Sequence, residues 1–201
     1  MIVVIDYGMG NLGSIANMIK KVGYKCLITS DLEEIKKANK LVLPGVGSFD
    51  NGMINLERLG IVEVLNQKVL VEKTPILGIC LGMQLMTKNS EEGTLPGLGW
   101  IDASTKKFMS DNFKIPHMGW NIIKHKKESK IFDDLNNEKR FYFVHSYFVN
   151  CNDENDVLTY TNYIQEFVSS FEKDNIIGVQ FHPEKSHKFG MCLIKNFVEN
   201  I

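Results

Sequence analysis

Cys80 stands in GICLG (78–82), with one glycine two residues before it and another two residues after it. This is the cysteine counterpart of the G-x-S-x-G elbow, where flanking glycines let a strand turn sharply into a helix beside the nucleophile. A thiol at such a turn, at a helix N-terminus, is suited to attack a carbonyl carbon. The same letters also fit a small buried cysteine with incidental glycines. VQFHPEKS (179–186) adds the missing partners. The apolar run NIIGVQF delivers His182 to its end, and Glu184 follows two residues on, so in extended backbone both side chains project to one side. A carboxylate there can fix the imidazole's tautomer while the other ring nitrogen faces the thiol. Cys80, His182 and Glu184 are therefore a candidate catalytic triad. LPGVGSF (43–49) contributes two glycines behind a strand, where backbone N–H groups can turn toward the cleft and stabilise an oxyanion. An ordinary loop reads the same way.

A second glycine pattern competes with this one. GMGNLG (8–13) follows the apolar MIVVI, and Asp31 lies 18 positions after Gly13, near where a dinucleotide-binding unit keeps its ribose-binding carboxylate. Asp6 and Tyr7 intervene between the apolar run and Gly8, a poorer fit to a pyrophosphate cradle than a strand ending at the first glycine. The alternative is a tight passage from strand to helix.

The elements that must position these residues follow from periodicity. MIVVID (1–6) suits a strand buried on both faces, and Leu12, Ile15, Ala16 and Ile19 form the stripe of a helix. YKCLIT (24–29) is a second strand, with Asp31 capping a short helix after it. KLVLPGVG (40–47) is a third strand running into its loop, a helix covers about 51–72, TPILGIC (74–80) is a fourth strand, and LGMQLMTKN is a helix. After Gly99, segments 101–108, 120–125, 140–149, 157–161, 166–172 and 176–181 are rich in β-branched and aromatic residues and separated by polar turns. Ile194, Phe197, Val198 and Ile201 mark a closing helix. The expected fold is α/β: a mostly parallel central sheet flanked by helices, with additional mixed or antiparallel strands in the C-terminal half, in one domain over 1–201. In such a sheet, ligands gather at the carboxyl ends of the strands.

Composition narrows the classes of function. Apolar residues make up 44% of the 201 and charged residues 23%, with a formal net charge of −1 and both signs interspersed, so nucleic acid is not an expected partner. The basic stretch KHKKESK (124–130) reads as a solvated loop. No apolar run approaches a membrane span, and MIVVI lacks the flanks of a signal peptide. Cys26, Cys80, Cys151 and Cys192 are far apart and form no C-x-x-C pair, so neither a zinc site nor a disulfide framework is expected. A cytoplasmic chain with free thiols fits. Cys26 and Cys192 fall on apolar stripes as core residues, Cys151 heads a polar turn, and His125 and His187 are expected to be exposed.

Taken together and in order, PGVG (44–47), GICLGMQ (78–84), IPHMGWN (115–121), YFVHSY (142–147) and FHPEKS (181–186) resemble the class I glutamine amidotransferases. DYGMGNLGS near the start extends the likeness over nearly the whole chain, and within the family it points to the glutaminase subunits that serve histidine biosynthesis. The resemblance implies hydrolysis of glutamine to glutamate and ammonia without cofactor or metal. Cys80 attacks the side-chain amide, His182 protonates departing ammonia and later activates water, and Glu184 orients His182. It implies an oxyanion hole from the amides of Val46 and Leu81, and glutamine contacts at Gly45, Gly47, Gln84, Glu92, Ser146 and Tyr147, with His145 holding the glutamine loop. His117 stays ambiguous.

Ammonia is useful only if it passes directly to an acceptor, and the resemblance implies a heterodimer with a separate (β/α)8-barrel synthase or cyclase subunit. It places Asn11 on the docking face, and Trp120, Tyr142 and Lys185 near that face and the ammonia exit. From the residues alone, Trp120 and Tyr142 equally read as core aromatics and Lys185 as a surface charge. A rival within the same chemistry is a paralogue that feeds a sugar amidotransferase in surface-polysaccharide or flagellin glycan synthesis, suggested by SHKFGM (186–191). A rival of another class is the nucleotide-binding module built on GMGNLG.

Overall fold

In a computed structural model, which describes residues 1–133 and 139–201, the first half alternates strand and helix. The order is β1 (Ile2–Ile5), α1 (Leu12–Lys21), β2 (Cys26–Thr29), α2 (Leu32–Lys36), β3 (Lys40–Leu43), α3 (Phe49–Arg58), α4 (Ile61–Asn66), β4 (Ile76–Ile79) and α5 (Leu81–Leu85). Each residue of β1 is buried, with Val3 and Ile5 facing one apolar core and Ile2 and Val4 the other. Helices on both faces of the sheet account for that continuous run. Asp31 caps α2 as expected, its Oδ1 accepting from the N–H groups of Glu33 (2.9 Å) and Glu34 (3.0 Å).

The helix expected over 51–72 is broken. Gly60 adopts φ +68°, the left-handed conformation that glycine reaches without Cβ strain, and α3 ends there before α4 begins. The chain then closes with a π-helical turn over Gln67–Val71. The helix expected over LGMQLMTKN stops at Leu85. Gly97 N–H donates to Lys88 O (2.9 Å) and Lys88 N–H to Ala103 O (3.0 Å), so the following residues join a sheet edge instead.

The second half supplies β5 (Asn89–Ser90), β6 (Ala103–Lys107), β7 (His117–Ile122), β8 (Lys124–His125), β9 (Arg140–His145), β10 (Tyr147–Cys151), β11 (Val157–Asn162), β12 (Glu166–Lys173), β13 (Ile176–Val179) and α6 (His187–Asn200). The main sheet runs β2-β1-β3-β4-β13-β12-β10-β6-β5, with β11 attached at β12 and β8 at β11. Strands β2, β1, β3, β4 and β13 are parallel; beyond β13 the pairing is antiparallel until β6 meets β5. β7 and β9 form a separate antiparallel ribbon. KHKKESK is less free than expected: Lys124–His125 pair with β11, and the Nζ of Lys127 donates to Asn155 O and Glu172 O. Burial also corrects three cysteines. Cys151 is buried on β10, whereas Cys26 and Cys192 are only half-buried. Among the described residues, no helix is long and apolar enough to cross a membrane.

Candidate active site

β4 and β13 lie side by side in parallel, Ile79 paired with Val179, so the two chemical motifs leave the sheet from adjacent strand ends. At the end of β4 the chain turns at Cys80 with φ +54° and ψ −109°. A non-glycine residue in that region costs about 1–3 kcal/mol and persists only where its surroundings hold it. Here they do. Cys80 N–H donates to Val179 O (2.8 Å), and Gln84 N–H donates to Cys80 O (3.2 Å). The flanking glycines have a measurable reason. A Cβ on Gly82 would lie 1.8 Å from Leu43 O, and one on Gly78 would lie 2.9 Å from Gly82 O. Only bare backbone lets α5 sit this close to the strands.

At the end of β13, His182 is buried, and its Nδ1 lies 2.7 Å from Glu184 Oε1. His182 N–H donates to Tyr142 O (2.9 Å), and Ser186 Oγ donates to His182 O (2.6 Å) while accepting from Tyr142 N–H, so β9 braces the backbone under the ring. Burial opposes a charged imidazole, but the neighbouring Cys80 sulfur and Glu184 carboxylate outweigh it and hold the ring protonated well above its usual range. Its Nε2 is buried without a hydrogen-bond partner, as is Glu184 Oε2. An unpaired buried nitrogen is costly, and here it belongs to a ring able to take up and release a proton.

Cys80 opens on a cavity of about 240 Å³ lined by Gly47, Leu81, Gln84, Glu92, Pro116, Val144, His145, Ser146 and Tyr147. Of the residues expected to meet substrate or its oxyanion, Gly47, Leu81, Gln84, Glu92, Ser146 and Tyr147 are brought together here; Gly45 and Val46 are not among the lining. Gly45 is packed below, where a Cβ would meet the Tyr7 hydroxyl at 2.6 Å and Leu81 Cβ at 2.8 Å. The Val46 side chain is 53% exposed. Burial pushes the Glu92 carboxyl up from its ordinary value, although Phe49 N–H donates to its Oε2 (2.8 Å).

Two contributors were not expected from sequence. Gln180 Nε2 donates to Cys80 Sγ (3.6 Å), and Gln180 Oε1 accepts from Gln84 Nε2 (3.0 Å). The signal was available, since Gln180 and His182 are two apart at the end of one strand and share a side. Tyr7, buried, donates its hydroxyl to Pro44 O (2.6 Å) and pins the PGVG loop. Burial and the nearby Cys80 sulfur keep it a phenol.

The GMGNLG glycines serve this neighbourhood. Gly8 and Gly10 have φ +81° and +99°, and a Cβ on Gly10 would meet Pro44 Cβ at 3.1 Å and Gly45 N at 3.3 Å. Gly13 meets nothing within 4 Å, so the third glycine of the fingerprint performs no close packing. Asn11 is exposed and caps α1 through Ser14 N–H. Trp120, Tyr142 and Lys185 come together at the surface beside the His182–Ser186 turn. The Trp120 indole, 46% exposed, meets the Tyr142 ring edge-on at 6.3 Å, and Lys185 Nζ lies 5.7 Å over that ring. Trp120 also stacks on the exposed ring of His187 (5.6 Å). It is not a core aromatic.

The cysteine turn, the histidine–carboxylate pair and the glycine loop thus meet at the strand ends of one parallel sheet. Residues 3–201 match the model of class I glutamine amidotransferases, and the chain belongs to that family. It is 61% identical to imidazole glycerol phosphate synthase subunit HisH 2 of Methanococcus maripaludis, over 99% of each chain. It is 51% identical to the HisH 2 subunit of Pseudomonas aeruginosa, again over 99% of each. Among solved structures, a glutamine amidotransferase from Thermotoga maritima superposes with a TM-score of 0.65 at 17% identity, covering 91% of this chain and 75% of that one.

Proposed function

We propose that this chain is the glutaminase subunit of an imidazole glycerol phosphate synthase, with Cys80, His182 and Glu184 as its catalytic residues. The observation that carries the reading is Cys80, held in left-handed backbone in the cavity wall and acting on the buried His182–Glu184 pair. The thiol proton rests on His182 Nε2 in the ion pair, and Sγ bonds to the side-chain amide carbon of glutamine. The amides of Leu81 and Val46 stabilise the oxyanion. His182 returns the proton to the amide nitrogen, the C–N bond breaks, and ammonia leaves a thioester. Water then gives a proton to His182 and attacks the thioester; glutamate leaves, and the sulfur departs beside the protonated ring, ready for the next substrate. Glu184 keeps the imidazole in register through both steps. Gly47, Gln84, Glu92, Ser146 and Tyr147 hold the amino-acid end of the substrate, with Glu92 facing its ammonium.

The partner is a separate (β/α)8-barrel cyclase subunit, which receives the ammonia. Support for a docking surface comes from β7, whose outward row of Met118 (61% exposed), Trp120 and Ile122 (42%) leaves three large apolar side chains in water. Wild-type chain with the synthase subunit that co-purifies from its own cells, given the acceptor, releases glutamate from glutamine, and Cys80→Ala releases none. Activity surviving that substitution overturns the assignment. A second reading keeps the chemistry and changes the acceptor to a sugar amidotransferase. It is favoured by SHKFGM at the start of α6, where His187 and Lys188 are exposed beside Trp120. The identity of the co-purifying subunit decides between them.

A further inference from the structure

A second pair of buried histidines lies beside the triad, and the mechanism above does not use it. His117 on β7 and His145 on β9 are register partners, 3% and 5% exposed. His117 Nδ1 is 2.9 Å from His145 Nε2, and His145 Nδ1 is 2.7 Å from the carbonyl oxygen of Tyr147. At the far end, Asn121 Nδ2 lies 3.1 Å from His117 Nε2 and donates to Asn162 O (2.9 Å). Asn121 Oδ1 meanwhile accepts from Ile122 N–H (2.8 Å).

These contacts admit one arrangement of protons among neutral rings. A backbone carbonyl can only accept, so His145 Nδ1 carries the hydrogen and its Nε2 is bare. His117 must then donate from Nδ1, which leaves its own Nε2 bare to accept from Asn121. Asn121 is oriented independently, because its oxygen takes a backbone N–H and its nitrogen serves a backbone carbonyl. The rings sit in an aromatic box. His117 is stacked between Phe143 (4.8 Å) and Tyr163 (4.1 Å), while His145 packs against Phe108 (5.5 Å) and Phe167 (5.2 Å). Burial in this box lowers the pKa of His117 to about 4 and of His145 to about 3. A proton added to His145 Nε2 would face the Nδ1–H of His117 head-on.

The chain ends at the glutamine cavity. Tyr147 O receives two donors, His145 Nδ1–H and Gln84 Nε2–H (3.2 Å). In extended strand a residue's N–H and C=O point to the same side, so the Tyr147 N–H turns toward the same wall. With both carbonyl lone pairs occupied, that wall repels an amino-acid carboxylate less. We propose that His117 and Asn121, neither of which lines the cavity, are positioning residues for substrate: His117, held by Asn121, donates to the bare Nε2 of His145 and keeps that ring where its Nδ1–H fixes the Tyr147 peptide that receives the carboxylate of glutamine. This rests on the reading of the cavity as the glutamine site. If His117 stops donating, His145 Nε2 is left buried without a donor, and the ring is no longer held from behind where its Nδ1–H meets the Tyr147 carbonyl.

The test compares His117→Phe, which keeps a ring between Phe143 and Tyr163 but cannot donate, with His117→Gln, which restores a donor. Assayed as the complex with its synthase partner and acceptor, His117→Phe raises the glutamine KM about tenfold with kcat within about twofold, and His117→Gln recovers most of the loss. Asn121→Ala, at a half-exposed position that tolerates truncation, raises KM about threefold. Nitrogen-15 NMR of the isolated wild-type chain shows both rings neutral and carrying hydrogen on Nδ1 at pH 7, and in His117→Phe the His145 Nε2 signal shifts as that nitrogen loses its donor. An active wild type whose KM is unmoved by these substitutions overturns this proposal alone, as does an Nε2–H or protonated ring in the wild-type spectrum. A wild-type complex without glutaminase activity overturns the reading of the cavity and this proposal with it.

Discussion

His182 and His145 are nearly equally buried, 2% and 5% exposed, yet they hold protons in opposite ways. His182 faces a carboxylate on one nitrogen and a sulfur near the other, and its pKa rises. His145 faces a backbone carbonyl and a second imidazole, and its pKa falls. Burial penalises the charged ring at both places, so the difference comes from the partner: an ionised group offsets the lost hydration, whereas neutral dipoles offset little of it. One region is thereby built to exchange a proton and the other to hold one still. A hydrogen-bond path joins them, from Cys80 Sγ through Gln180 and Gln84 to Tyr147 O and His145.

The strongest way to break the contrast is Glu184→Gln, which leaves the shape but removes the charge that supports His182. Glutaminase kcat of the complex should fall about 10³-fold, and the His182 pKa should drop toward that of an ordinary buried imidazole when titrated by NMR. Gln180→Leu cuts the path between the regions, removing the donor on Cys80 Sγ and the acceptor for Gln84. A fall in kcat/KM of about tenfold is expected, shared between kcat and KM; a change confined to one of them would show the regions to be independent.

The two regions also predict opposite pH dependences of stability. The lowered pKa values of His117 and His145 mean that below pH 6.5 the unfolded chain takes up protons that the folded chain refuses. Stability therefore falls as pH drops from 6.5 toward 4, by up to about 1.4 kcal/mol per pH unit for each ring kept neutral. For His182, raised above its unfolded value, the contribution is complete below pH 6.5 and is lost as pH climbs through the folded pKa. Urea unfolding across pH should give a shallower acid slope in His117→Phe than in wild type, and a shallower alkaline decline in Glu184→Gln. The smallest effect is reserved for Tyr163→Leu. Removing one stacked ring should raise the His117 pKa by about half a unit and leave that of His182 unmoved.

Much of the first half was legible because its signals are local. Asp31 announces its cap, the continuous apolar run of β1 announces two covered faces, and Gly78 and Gly82 announce a close turn at Cys80. Helix lengths were less legible. Gly60, inside the helix expected over 51–72, stands in left-handed backbone, and the chain after Leu85 is drawn out of helix by hydrogen bonds to Ala103 and its neighbours, distant in sequence. The cysteines misled for the same reason: Cys26 lies on an edge strand with one open side, whereas Cys151 is covered by elements that its own neighbourhood does not encode. Among residues that support the cavity from behind, Gln180 could have been found from its alternation with His182, but the pairing of His117 could not. Its partner is 28 residues away on another strand.

What the sequence determined by itself is the set of reacting groups and the backbone that can present them, because an elbow needs glycines at fixed offsets and a histidine–carboxylate pair needs only the two-residue repeat of an extended strand. The tertiary structure alone decided which buried rings are charged and which neutral. Protonation depends on what lies across a few ångströms of space, and that is settled when β4 meets β13 and β7 meets β9, not by any spacing along the chain.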